Sequence, residues 1–442
     1  MNTQIPANSL QTAINYFNEL QPLIFNKEEL KHADPSASPK FYLERPDNPL
    51  EEMKVNLINS TSDEKLLLTG HMGSGKSTEL NRLAEDPQLQ KHFFIVKYRI
   101  VEALNITDID YLDFLMSFAA ILFTRASEAH IEFEEPFLKK ISRWIQFISG
   151  KVPEIQESQK SRDLKGKTLS FFKRIMTILL REVALRDALR QSAGRNITEL
   201  LEVINSIIRE IQTRLPKGKQ LLVIIDDMEK IPDVNRADAL FNQAGGYMIM
   251  PQCKIIYTLP IALYYNVKIK QILNTFSRAY FLKNITIFDE NTKQLRSEQV
   301  DFMRGYIAKR MELSLMEPGA QDAAIESSGG VVRELMRIIK DSIIKALARQ
   351  YPKVTEDLVK AVIIDLRNEY GRGLVGRHYR VLNTVIEGRE NEVDDEKTLM
   401  ELYHSRVLLE YENENGGRWI AVNPIVRPLL QQYRNKTYED FE

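Results

Sequence analysis

The chain has 442 residues, 43% of them hydrophobic and 27% charged, with a formal net charge of −1. That length and balance describe a globular protein of several domains, and exclude a global field that would draw it to nucleic acid or membrane. The single cysteine, Cys253, excludes a disulfide framework and a cysteine-ligated metal centre, and fits a reducing cytoplasm.

The N-terminal stretch MNTQIPANSLQTAINYF lacks the basic start and apolar block of a secretory leader, and no apolar run is long enough to span a membrane. A cytoplasmic protein without membrane contact is therefore expected. Residues 1–40 read as one helix, Ser9 to Leu23, followed by a Pro/Ser-rich linker, Asp34 to Pro39. Tyr42, Arg45 and Pro46 come next. They are candidates to cradle a base, with a plain surface linker as the equal alternative. Pro49 opens a helix near its first turn.

Leu66-Leu67-Leu68 ends a short buried strand. Gly70-His71-Met72-Gly73-Ser74-Gly75-Lys76-Ser77 then fits G-x-x-x-x-G-K-[ST], and Glu79 to Leu83 continues with helical spacing. The glycines leave backbone N–H groups free to wrap a phosphate chain, and the helix start points its positive end at the anion. Lys76 supplies a charge for the β- and γ-phosphates, Ser77 a hydroxyl for Mg²⁺, and Thr78 lies within reach of the α-phosphate. ATP and Mg²⁺ are the expected cofactors.

His92 to Ile100 reads as a second strand. A helical insertion follows, about 108–216, in which Leu112, Phe114, Leu115, Phe118, Leu122 and Phe123 recur at helical spacing as core. Ten basic residues between Lys160 and Arg195, interleaved with Phe171 and Phe172, face three acids. This is either a surface for DNA, RNA or an acidic partner, or a solvated helix face.

Gln220 to Glu229, QLLVIIDDME, carries an uninterrupted apolar strand that ends in Asp226-Asp227. An acid at the tip of such a strand lies at the ligand crevice of an open α/β sheet. Asp226 is the expected Mg²⁺ ligand. Asp227, or else Glu229, is the expected group that polarises the attacking water. Lys254 to Pro260 is a further buried strand, with Thr258 near its end as a γ-phosphate sensor or water-orienting group. Ile272 to Arg278 and a strand-like Ala279 to Phe288 follow. From Glu298 the chain is helical, and Gly329-Gly330 precedes a helix with Arg333 in its first turn. Tyr379, Leu382, Val385 and Ile386 fit a helix, Glu396 to His404 fits another, and strands Val407 to Tyr411 and Trp419 to Val422 around Asn415-Gly416-Gly417 complete a winged helix. The acids Asp395, Glu396 and Glu401 make its face poor for phosphates and suit a protein partner.

This order of motifs resembles the AAA+ and STAND class of P-loop ATPases, in the branch of the origin-recognition initiators and KAP-type ATPases. The resemblance covers about 40–434. It implies an α/β fold with a P-loop parallel sheet, a helical insertion, a helical lid and a C-terminal winged-helix domain. It also implies sensor roles for Thr258 and Arg333 and an arginine finger at Arg278, which acts in a homo-oligomer. Asp227 stands where fast relatives carry Glu, which implies slow hydrolysis. Stand-alone ATPases of this kind are often encoded in defence or mobile-element operons. The expected division is 1–40 N-terminal helix and linker, 41–290 ATPase domain, 291–364 lid and 365–442 winged helix. The expected function is a nucleotide-operated switch acting on a protein effector. A DNA-loading ATPase and a nucleotide-binding scaffold with negligible hydrolysis are the alternatives.

Overall fold

The computed structural model describes residues 5–17, 21–25, 40–152, 155, 163–265, 269–389, 392–413 and 415–439. The linker 34–39 and the basic residues Lys160 and Arg162 lie outside these. The chain divides into two compact units, residues 50–69 with 86–280, and residues 1–49 with 70–85 and 281–442.

The first unit is built on a sheet of β1 (Lys65–Thr69), β2 (Phe93–Arg99), β3 (Gln220–Asp226), β4 (Lys254–Thr258) and β5 (Arg278–Phe281), in the order β2-β3-β4-β1-β5. β2, β3, β4 and β1 pair in parallel, with Val223 beside Ile255, and Leu68 beside Thr258. Every β3 residue from Leu221 to Asp226 is buried, as a strand covered on both faces must be. At the opposite end of the sheet two buried lysines are spent on carbonyls. Lys65 donates to Asp63 and Cys253, and Lys254 to Ser60 and Ser62, at 2.6–2.7 Å.

The helical insertion packs on this sheet. Its leading helix, Tyr111–Glu128, starts at a capping box of Asp110 and Asp113 and buries Phe114, Phe118, Leu122 and Phe123. The helices Leu164–Arg181 and Ile197–Arg214 share that core. Phe171 and Phe172 lie inside it, edge-on or tilted against Trp144 at 5.8 and 6.4 Å, so they are core residues and not a stacking platform.

The second unit holds the lid helices Ser297–Ala308, Pro318–Ser328, Val332–Ala348 and Glu356–Gly373. The terminal helices Gly376–Ile386 and Glu396–His404 follow, then the antiparallel hairpin of β6 (Leu408–Glu412) and β7 (Arg418–Val422) and a last helix, Arg427–Glu439. The α/β sheet, helical insertion, lid and terminal hairpin thus form as expected.

Two local expectations change. Among the described residues, the N-terminal helix expected over 9–23 forms as Leu10–Ala13 with a 3₁₀ turn Ile14–Tyr16, and the backbone leaves helical geometry at Phe17, whose ring is buried in the lid core. The strand-like run 279–288 forms strand only to Phe281. Beyond it the Ile285 N–H is taken by the Gly330 carbonyl at 3.1 Å, which leaves no ladder to continue.

Candidate functional site

β1 runs directly into the loop at Gly70, where the backbone turns to φ values only glycine adopts freely. Gly70 has φ 146° and Gly73 φ 89°. A Cβ on Gly70 would stand 2.4 Å from the Leu282 carbonyl oxygen, and one on Gly73 2.7 Å from the Arg333 Cβ. The loop is therefore closed in by its own surroundings. The Ser74 N–H donates to the His71 carbonyl at 3.1 Å. Lys76 starts the helix Lys76–Glu85, and its buried ammonium donates to the Gly70 and His71 carbonyls at 2.9 and 3.0 Å. Met72, Gly75 and Ser77 complete the turn into that helix. The Thr78 hydroxyl accepts the Leu23 N–H at 3.2 Å and so ties down the N-terminal segment.

The three candidate base-cradling residues separate. Tyr42 packs its buried ring under the loop helix, and its hydroxyl donates to Glu79 at 3.2 Å. Asn48 and Arg82 bind the same carboxylate, at 2.6 and 3.1 Å. Arg45 donates to the Lys283 carbonyl at 2.7 Å and to the Ser74 carbonyl, and so braces the loop from outside. Arg45 and Pro46 line an open cavity of about 130 Å³ with Lys283, Asn284, Arg296 and Gln299. Arg333 opens the lid helix against the loop, its N–H donating to the Gly73 carbonyl at 3.2 Å. His71 turns its side chain away from the loop and accepts the Glu410 N–H of β6 at 2.9 Å.

In the sheet unit, Asp226, Asp227 and Glu229 bring their carboxylates within 4.8 Å of one another, all three buried. Asp226 ends β3; one oxygen accepts the Asp227 N–H at 2.8 Å and the other lies 3.6 Å from the Lys97 ammonium. Burial, and the Glu229 charge beside it, push the Asp226 carboxyl up from its ordinary value. Asp227 sits in the left-handed region at φ 69°, which aspartate adopts more readily than most side chains, and is held on both oxygens. Arg99, the last residue of β2, reaches one oxygen at 2.7 Å through Nε and again through Nη2, and Lys230 takes the other at 2.7 Å. Thr258 is fully buried, and its hydroxyl accepts the Met228 N–H at 2.9 Å just after the acids. Thr258 therefore fixes the turn that presents them. Arg278 is exposed at the start of β5, paired with Glu52 at 3.2 Å and stacked over Tyr280 at 4.9 Å.

The basic stretch is partly spent inside the insertion. Arg186 is buried, with its guanidinium 2.5 Å from Asp108, and Arg190 lies 2.5 Å from Asp113. Arg174 binds Glu182. Lys167, Lys173, Arg181 and Arg195 face solvent. Arg99, Lys97 and the ring of His71 are site residues that no spacing in the sequence marks, because each is joined to its partner by the fold. Lys230 is also missed by sequence reasoning, although it lies only three residues from Asp227.

No family model matches the chain. An uncharacterized ATP-binding protein of Methanocaldococcus jannaschii is 24% identical over 200 residues, 45% of this chain and 47% of that protein. The chain thus spans about half the length of this curated relative. Among solved structures, the ORC2 protein of Aeropyrum pernix in its ADPNP–ADP complexes is similar at 10% identity and TM-score 0.39, over 95% of this chain and 98% of that one. Cdc6p of Pyrobaculum aerophilum is similar at 11% and 0.39, over 93% and 99%. The RuvB Holliday junction branch migration motor of Thermotoga maritima is similar at 13% and 0.34, over 85% and 92%.

Proposed function

We propose that this chain, whose strand order and phosphate loop after β1 are those of the AAA+ P-loop fold, binds ATP with Mg²⁺ and works as a slow nucleotide-operated switch on a protein partner. The observation that carries this reading is the loop: a glycine-turned backbone following a parallel strand, with Lys76 at the first position of the next helix. The ATP-binding description of the archaeal relative supports it. In this reading Gly70 to Thr78 wrap the phosphates, Arg45 and Pro46 flank the base, and Arg333 senses the γ-phosphate from the lid.

The donor set suits Mg²⁺, because three buried carboxylates lie close together at the end of β3 and magnesium takes hard oxygen ligands. Ser77 and Asp226 would hold it. When bound, the ion neutralises charge on the phosphate oxygens. Thr258 sets the turn that carries the acids. Asp227 is the group for activating water, with Glu229 as the alternative acid. The Arg99 and Lys230 clamp on Asp227 supports slow hydrolysis, and it equally favours the second reading, a nucleotide-binding scaffold with negligible turnover. The identity of the partner, assembly through Arg278 and a setting in defence or mobile-element operons rest on the family resemblance. A DNA-loading role through the basic stretch would draw on its solvent-facing cations, Lys167, Lys173, Arg181 and Arg195 among the described residues.

Calorimetric titration of MgATP into the wild-type chain and into Lys76→Ala tests the reading. Wild-type binding that the variant loses, with an unchanged melting profile, supports it. Equal affinity in the two proteins would show that the loop is not the site.

A further inference from the structure

The motif leaves the residue after its first glycine unconstrained. In this chain that residue is His71, and its side chain is completely buried. Its Nε2 accepts the N–H of Glu410, 339 positions along the chain, at 2.9 Å. An accepting Nε2 places the ring proton on Nδ1, and Nδ1 has no hydrogen-bond partner among the described residues. Burial, with Lys76 and Arg406 nearby, pushes the imidazole down to about 3, so the ring is neutral and the acceptor role is available throughout the physiological range.

The backbone of the same residue is tied to the phosphate machinery. Its carbonyl accepts both the Lys76 ammonium at 3.0 Å and the Ser74 N–H at 3.1 Å. His71 is thus bonded to the loop lysine through its main chain and to the hairpin through its ring. On the hairpin side the next two residues of β6 reach other elements. Tyr411 donates to the Gly329 carbonyl at 2.7 Å, and Glu412 pairs with Lys283 at 2.6 Å. Just before β6, Arg406 pairs with the buried Glu334 of the lid helix at 2.5 Å. Three successive residues of one strand therefore read the phosphate loop, the lid glycine pair and the segment that leads into the lid.

We propose that His71 is a coupling residue: its imidazole latches the C-terminal hairpin onto the phosphate loop, so that phosphate binding and the hold on the hairpin are energetically linked. The inference rests on the loop being the phosphate site. An arriving phosphate competes for the Lys76 ammonium, and the Gly70 and His71 carbonyls lose that donor. The 71 peptide is then released to reorient, and the ring reorients with it. The linkage is reciprocal, so whatever loosens the hairpin also changes phosphate affinity by the same factor. The His71 ring acts on position only; it is the main chain of the loop that wraps the phosphates.

Hydrogen exchange of the β6 amides in the full chain, with and without saturating MgADP, tests this. Titration of each protein with MgADP is run alongside. In the wild type, MgADP should change exchange in the peptide covering Leu408–Glu412 by about tenfold or more. In His71→Ala that peptide should exchange fast already and respond little, and MgADP affinity should shift by about fivefold or more, the lower end of measured couplings. His71→Gln, which can offer an amide oxygen near the place of Nε2, should restore the response and guards against a variant that fails to fold. Three results would overturn the proposal. One is a wild-type hairpin that ignores bound MgADP. Another is a full hairpin response in His71→Ala. The third is a His71→Ala protein that melts normally yet cannot be saturated, which would place the ring in the phosphate cradle. A wild-type chain that binds no MgADP would remove the proposed function as well, so the titration separates the two failures.

Discussion

Arg99 holds Asp227 by one carboxylate oxygen, with Nε and Nη2 each 2.7 Å away, while Lys230 holds the other oxygen at the same distance. A carboxylate whose two oxygens are both occupied by cations has little lone-pair capacity left to orient an attacking water. Arg99→Gln should therefore raise ATP turnover. It should also cost about 1–3 kcal/mol of stability, because the buried carboxylate loses a charged hydrogen-bond donor. Turnover and urea midpoints of the variant check both signs. A fall in turnover would mean that Arg99 assists the reaction.

Asp227→Asn should keep nucleotide binding and lower turnover by about 10²-fold or more, the usual cost of losing a general base. Glu229→Gln is the comparison. If Glu229→Gln carries the loss and Asp227→Asn does not, the clamped aspartate is structural and Glu229 activates water. Single-turnover assays with both variants decide between them.

Burial pushes the Glu410 carboxyl from 4.5 up to about 8, with Glu412 adding to the rise and Arg418 opposing it. The folded chain then binds a proton that the unfolded chain releases. The associated stability is fully present below about pH 4.5 and is lost as the pH rises through 8. Glu410→Gln cannot ionise, so relative to wild type it should gain roughly 2–4 kcal/mol between pH 4.5 and 9. Urea denaturation at the two pH values measures the difference. A constant offset across that range would contradict it.

Arg278 is exposed and only loosely engaged by Glu52. If it completes a neighbouring subunit's site, specific ATPase activity should rise with protein concentration, and Arg278→Ala should remove that rise. Mixing Arg278→Ala with Lys76→Ala should recover activity only where an intact loop meets an intact arginine. An Arg278→Ala protein with unchanged activity at every concentration would leave the monomer as the working unit.

The basic insertion makes two separable predictions. Arg186→Ala removes a buried side chain and one charged hydrogen bond to the half-buried Asp108, which keeps Arg190 and Arg236, and should destabilise by about 1–3 kcal/mol. Reversing Lys167, Lys173 and Arg181 to Glu should leave stability nearly unchanged. Only this triple variant should abolish salt-dependent binding to DNA, if such binding exists. Fluorescence anisotropy at two salt concentrations separates the effects.

The phosphate loop and β3 were legible in the sequence because their chemistry is local: glycines before a lysine, and a continuous apolar run ending in acids. Tyr42 was readable as a residue near the loop, but its partner Glu79 is set by how the loop helix packs. The same holds for Arg99 and Asp227, which parallel pairing of β2 with β3 brings together across 128 positions. Phe171 and Phe172 looked like part of a basic, aromatic surface. A single strip of sequence does not show which side of a helix finds Trp144. The arginines of that stretch were counted as surface charge, yet Arg186 and Arg190 find Asp108 and Asp113 through tertiary packing. The ring of His71 left no signal, since its partner is a backbone N–H that any residue at position 410 but proline would supply.

The N-terminal residues have a practical consequence. Ala7 bonds on both sides into the lid, its N–H to the Arg310 carbonyl at 2.9 Å and its carbonyl to the Glu312 N–H at 2.8 Å, while Leu10, Ala13 and Phe17 are buried in the same core. A shortened chain begun near Phe41, where the loop-bearing sequence starts, would keep every phosphate-binding residue and still expose the apolar floor of the lid. Such a protein should aggregate or bind nucleotide without transmitting it. Affinity tags therefore belong at the other end, and a purification handle placed against Ala7 would report on a damaged lid.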